Sequence, residues 1–170
     1  MRAITTGLLV LSVMAAPSGA FAGDWEGHNV LDHLRGKIGY GASAKGELRD
    51  RHGVRKGAIT ANCADNKTTV YVGARGLFFG TRDSVAVSWT IDGGPVQRGR
   101  WNVCASSDCV GLWHGAGIPL LKSMFGKAMF RIVIERSFAE PVEGTFSIAG
   151  AAEEVGLVGK LCGWYTPPKS

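Results

Sequence analysis

The sequence predicts a mainly β chain: an antiparallel β-sandwich-like single domain with one or two short helices and a disulfide brace. Three observations predict it. Residues 70–101 alternate apolar and polar side chains about one tight turn, short runs with the same two-residue period recur elsewhere, and the four cysteines form an even set. In the central run Val85, Val87 and Trp89 point one way and Ala86, Ser88 and Thr90 the other, which is the period of a strand with one buried face. Asp92-Gly93-Gly94-Pro95 tolerates positive φ and then supplies a proline that cannot continue a ladder, so residues 96–103 fold back antiparallel.

Taken in order, the chain opens with Arg2, an apolar stretch over residues 4–16, and small residues ending in Ala20-Phe21-Ala22. That is the layout of a secretory signal peptide over residues 1–22, cleaved after Ala22, and its apolar run is too short to span a bilayer stably. Residues 23–56 are rich in glycine and charge with little sustained periodicity, and read as an N-terminal extension with a short helix or turn near residues 30–34 and room for one hairpin. The β domain is expected over residues 57–165. Residues 58–63 form a strand, 64–67 a turn and 68–72 its partner, with Val70 and Val72 on one face. Residues 110–113 are short and apolar, and Gly115-Ala116-Gly117 breaks them. Residues 118–126 place proline near the start, apolar side chains at helical spacing and glycine at the end, which predicts one or two helical turns. Residues 127–136 read as a strand with Phe130, Ile132 and Ile134 on one face. Ala139-Glu140-Pro141 turns the chain, residues 142–149 add a strand with Phe146 and Ile148 inward, and residues 151–161 space Val155, Val158 and Leu161 along a helical face. Residues 166–170 form a loose tail.

Without its leader the chain keeps 18 basic residues against 14 acidic ones, a net charge of +4, scattered without a dense block. This argues for solubility and against a nucleic-acid partner, which needs a basic face and a matching motif. No later segment predicts a membrane span. Cys63, Cys104, Cys109 and Cys162 allow three connectivities. The local pair Cys104–Cys109 closes a small loop, which leaves Cys63 for Cys162; a metal site would need close ligand pairs with partnering histidines, and these are absent.

Candidate chemistry is sparse. His28 and His33 flank Asp32 but are spaced five apart in an irregular segment, so they read as exposed polar residues and no metal site is expected. Ser107, Asp108 and His114 lack a nucleophile elbow to orient them, and no catalytic residues are assigned. Glu153 and Glu154 fall in the first turn of the last helix, where they complement its dipole. Trp89 and Trp101 read as core aromatics. Trp113 and His114, beside a glycine-rich turn and the small disulfide loop, form the candidate binding surface, with Arg98 and Arg100 on a neighbouring strand. No cofactor is expected.

Ile59-x-x-x-Cys63, Asn66-Lys67-Thr68-Thr69-Val70-Tyr71, Val87-x-Trp89-x-Ile91-Asp92-Gly93-Gly94-Pro95, Trp101 with Ser106-x-Asp108, the helix at 118–124, and Thr145-Phe146-x-x-x-Gly150 before Cys162-Gly163-Trp164 together resemble the VasI/TagO family of exported proteins associated with type VI secretion systems. The resemblance spans residues 58–164, leaves out the Cys104–Cys109 loop and the basic N-terminal segment, and implies no catalytic residues. The function expected is therefore a non-enzymatic interaction protein of the periplasm, an accessory factor of an envelope or type VI secretion machine with a protein partner. The alternative is an extracellular binding module or inhibitor of an enzyme such as lysozyme, with the Cys104–Cys109 loop entering the target's cleft.

Overall fold

A strand buried on one face needs only a small, regular alternation, and residues 37–50 supply it with small side chains. The computed structural model of the chain describes residues 24–32, 37–81, 83–136 and 139–166. Its longest strand is β2 (Lys37–Asp50), on which Ala42, Ala44 and Leu48 are fully buried while Lys45, Glu47 and Arg49 are exposed. Before it comes β1 (Trp25–Asp32) and after it β3 (Gly53–Ala64), β4 (Lys67–Gly73), β5 (Ser84–Ile91), β6 (Gln97–Val103) and β7 (Cys109–Leu112). A short helix α1 (Ile118–Ser123), β8 (Met129–Arg136), β9 (Ala139–Ser147) and α2 (Ala151–Leu161) complete the described chain.

The sheet order is β1-β2-β3-β4-β7-β6-β5-β8-β9, all neighbours are antiparallel, and β9 returns to pair with β2 through Gly46↔Phe146 to Arg49↔Glu143. Eight strands thus close into a barrel, with β1 as one extra strand and two short helices. The sandwich expectation is corrected by this closure: the inward-outward alternation is the same in both architectures, and what separates them is a pairing between segments about a hundred residues apart.

Within residues 23–56 the hairpin for which the sequence left room is the antiparallel pair β1–β2, whereas the expected lack of periodicity is corrected: residues 25–32 and 37–50 are strands, β3 already begins at Gly53, and residues 30–32, read as the start of a helix or turn, belong to β1. The leader at residues 1–22, His33 and the tail at 167–170 lie outside the described residues.

The β3–β4 and β5–β6 turns mark one end of the barrel, called upper here. Asp65 and Asn66 (φ 49° and 59°) and Asp92 and Gly93 (φ 50° and 69°) have positive φ at both central positions, the twist that matches a right-handed hairpin. The inward faces of β1, β2 and β3 then meet α2. Ala42, Ala44 and Ala61 are small enough to let a helix lie there, and Val155, Val158 and Ala151 of α2 are buried. Cys63–Cys162, with Cα atoms 5.8 Å apart, ties the end of α2 to β3, and Trp164 Nε1–H donates to Thr68 Oγ1 at 2.8 Å. Cys104–Cys109 closes the link between β6 and β7 at the lower end. Both pairs are those expected from the sequence, and disulfides fit a protein working outside the cytosol. Among the described residues no helix is long and apolar enough to cross a membrane.

Candidate functional site: a cleft at the upper mouth of the barrel

The inward positions near the upper ends of β5 and β6 are Trp89, Ile91, Gln97, Gly99 and Trp101. Gly99 lies against the Trp89 ring, where an added Cβ would sit 3.4 Å from Cη2 and Cζ3, and the Trp89 and Trp101 rings pack at 5.9 Å and 56°. From the other side come Leu112 at the end of β7 and Pro119 and Leu120 of α1. Between them is an open cleft of about 630 Å³, with Trp89 at its surface and Trp101 buried behind it. That is the size of small-molecule sites, which recur in the mouths of β-barrels. Its polar lining is Gln97, Arg100, Ser123 and Lys127, with no acidic side chain. Ser123 Oγ donates to the Leu120 carbonyl, and the Arg100 guanidinium donates to Ser84 Oγ and to its carbonyl. The Lys127 segment is held against the hairpin turn by Asp92, whose Oδ1 accepts from the N–H groups of Ala128 and Met129 at 3.0 and 2.8 Å. Trp101 is fully buried in the wall, and its Nε1–H has no acceptor.

The surface expected from sequence is partly assembled. Trp113 is half-buried over Gly111, 6.2 Å from the Tyr71 ring at 38°. Extending the Asn102↔Gly111 register by two pairs would set Arg100 opposite Trp113 on the outer face, and Arg98, paired with Ser88, lies further up β6. His114 is exposed and serves the turn, at φ 54°. The disulfide loop expected beside Trp113 lies instead at the far end of β7. The same separation keeps Ser107 and Asp108 from His114, and Asp108 accepts a hydrogen bond from Ser106 Oγ. His28 is exposed. No metal-holding group of three or more His, Cys, Asp or Glu occurs among the described residues.

Two polar contacts were not visible in the sequence. Glu154, read as a dipole partner, accepts from the Tyr40 hydroxyl at 2.5 Å; burial, that bond and the Glu154 charge push the phenol up to about 12. At the lower end Asp50, with a side chain 3 % exposed, lies 3.1 Å from Arg55 Nη1 and 3.6 Å from Arg136 Nη1. Burial alone would raise the Asp50 carboxyl, but the His52 N–H, the Arg55 hydrogen bond and the Arg55 and Arg136 charges outweigh it and hold it below its ordinary value. The cleft's own signal was present in the sequence: a glycine and a glutamine at inward positions of a strand otherwise carrying Trp101 and Val103.

No family model matches the chain, and no curated protein does. The resemblance to the VasI/TagO family therefore has no counterpart in these comparisons. Among solved structures, the chain is similar to invasion associated protein b from Bartonella henselae, at 10% identity and a TM-score of 0.54, over 82% of this chain and 94% of that one. At that identity the likeness shows the barrel fold alone.

Proposed function

We propose that this chain is an exported, non-enzymatic binding protein that holds an apolar ligand in the cleft at the upper mouth of its barrel. The observation that carries the reading is the pairing of two indoles with a bare Gly99 beside an open cleft of about 630 Å³. A barrel interior is ordinarily filled by its own side chains, and here one end is left open and apolar. Disulfides at both ends of the barrel support action in the periplasm or outside the cell, reached through a leader cleaved after Ala22. The test is a titration with the neutral dye N-phenyl-1-naphthylamine, followed by its emission and by tryptophan quenching. Wild type takes up the dye, and Gly99→Leu, which fills the cleft from its floor, does not. Equal uptake by a folded Gly99→Leu protein would overturn the proposal.

A second reading is favoured by the placement of Trp113, half-buried against Tyr71 just past the end of β7. It is a docking surface for a protein of the cell envelope, which keeps the expected accessory role in a secretion machine. Its test is recovery of envelope proteins by the wild-type chain and their loss with Trp113→Ala.

A further inference from the structure

Resting on the cleft reading above, we infer that the ligand of this cleft is an amphiphilic anion, a medium-chain aliphatic carboxylate lying with its tail on Trp89 and its carboxylate at Lys127. Three observations meet there. The floor is apolar and aromatic, and so takes a hydrocarbon chain. The charged lining is Arg100 and Lys127 with no acid among the cleft residues, which selects an anion over a neutral or cationic amphiphile. Neither cation makes an ion pair among the described residues; Arg100 is pinned in place by its bonds to Ser84, whereas Lys127 is exposed and makes no such bond, so Lys127 is the rim cation free to move onto a ligand.

One polar group fixes the rim. Asp92, the nearest acid in sequence to the hairpin tip, is occupied by two backbone N–H groups and so fixes the Lys127 segment while its charge is partly compensated. A carboxylate is the headgroup that suits the Lys127 ammonium, since it presents two acceptor oxygens and no donor.

The experiment displaces bound N-phenyl-1-naphthylamine from the full mature chain with decanoate and with decan-1-ol at pH 7.5. The charge-assisted contact predicts that decanoate binds about tenfold more tightly than decan-1-ol. In Lys127→Ala that ratio falls to near one, and in Trp89→Ala both ligands weaken. Equal affinity of the two ligands in wild type overturns the inference and leaves the cleft reading standing. Failure of both to displace a dye that does bind also overturns the inference alone. No uptake of the dye sinks the cleft reading itself. A protein side chain as the occupant would appear as a Trp89-dependent dimer in sedimentation with no decanoate uptake, and this too would overturn the inference.

Discussion

Replacing Asp50 by Asn tests the charged plug at the lower end of the barrel. Asp50 and Arg136 are 3 % and 10 % exposed, and Arg136 already has one guanidinium nitrogen, Nη2, without a partner. Removing one member of a buried pair costs about 3 to 5 kcal/mol, because the remaining charge stays buried and uncompensated. Asn keeps one acceptor oxygen for the His52 N–H, so the lower figure, about 3 kcal/mol, is expected. For a domain of this size the entropy of unfolding is roughly 0.3 kcal/mol per kelvin, so melting should fall by about 10 °C at pH 7. The pH dependence supplies the sign. The folded carboxyl lies below its ordinary value of 3.8, so its contribution is complete above about pH 4 and is lost as pH falls through the folded pKa. The gap between wild type and Asp50→Asn, followed by circular dichroism, should therefore narrow below pH 4. The pair Asp50→Leu with Arg136→Met, which removes the two most buried charges and leaves only the part-exposed Arg55, should recover most of the loss. A pH 7 difference under about 2 °C, or a gap constant down to pH 2, would refute the assignment of a buried ion pair.

The two disulfides should differ in worth. Cys63–Cys162 spans 99 residues and Cys104–Cys109 only 5; chain entropy then assigns about 4.7 kcal/mol to the long loop and roughly 2 kcal/mol to the short one. Paired alanine substitutions compared by urea unfolding check the order, and an equal or larger loss from the short loop contradicts it. Tyr40 should ionise near 12 in the folded chain. Since a raised folded pKa confers stability that is complete below the unfolded pKa and lost as pH rises through the folded one, wild type should lose stability relative to Tyr40→Phe between about pH 10 and pH 12. Absorbance at 295 nm would show one late phenol transition in wild type that is missing from Tyr40→Phe.

The strands after residue 57 were legible because their inward positions carry Val, Ile, Phe or Trp, as in Val85-x-Val87-x-Trp89 and Phe130-x-Ile132-x-Ile134. β2 was not, because its inward positions are Ala42, Ala44 and Gly46, which alternate in size too little to register as hydrophobic period. Those same small side chains make room for α2. Closure into a barrel has no local signature, since Gly46↔Phe146 depends on two segments distant in sequence. The cysteine pairing was legible from parity and loop size. The site was half legible: Trp89 and Trp101 stood out, but with core as their natural reading, and only the arrival of α1 opposite Gly99 opens a cleft between them.

β2 offers a single edge to two different strands, its first half to β1 and its second to β9. Any strand that slid along this edge by two residues would keep its alternation while taking rungs from the other. The junction is guarded by three bonds. Asp24 N–H donates to the Ala149 carbonyl, Trp25 Nε1–H to the Ile148 carbonyl, and Ser147 Oγ to Asp24 Oδ2. Trp25, buried at that seam, acts as an end-stop that assigns the territory of each strand. Its loss would not empty the core so much as let two competitors for one template trade places, giving a chain with native secondary structure and mixed registers.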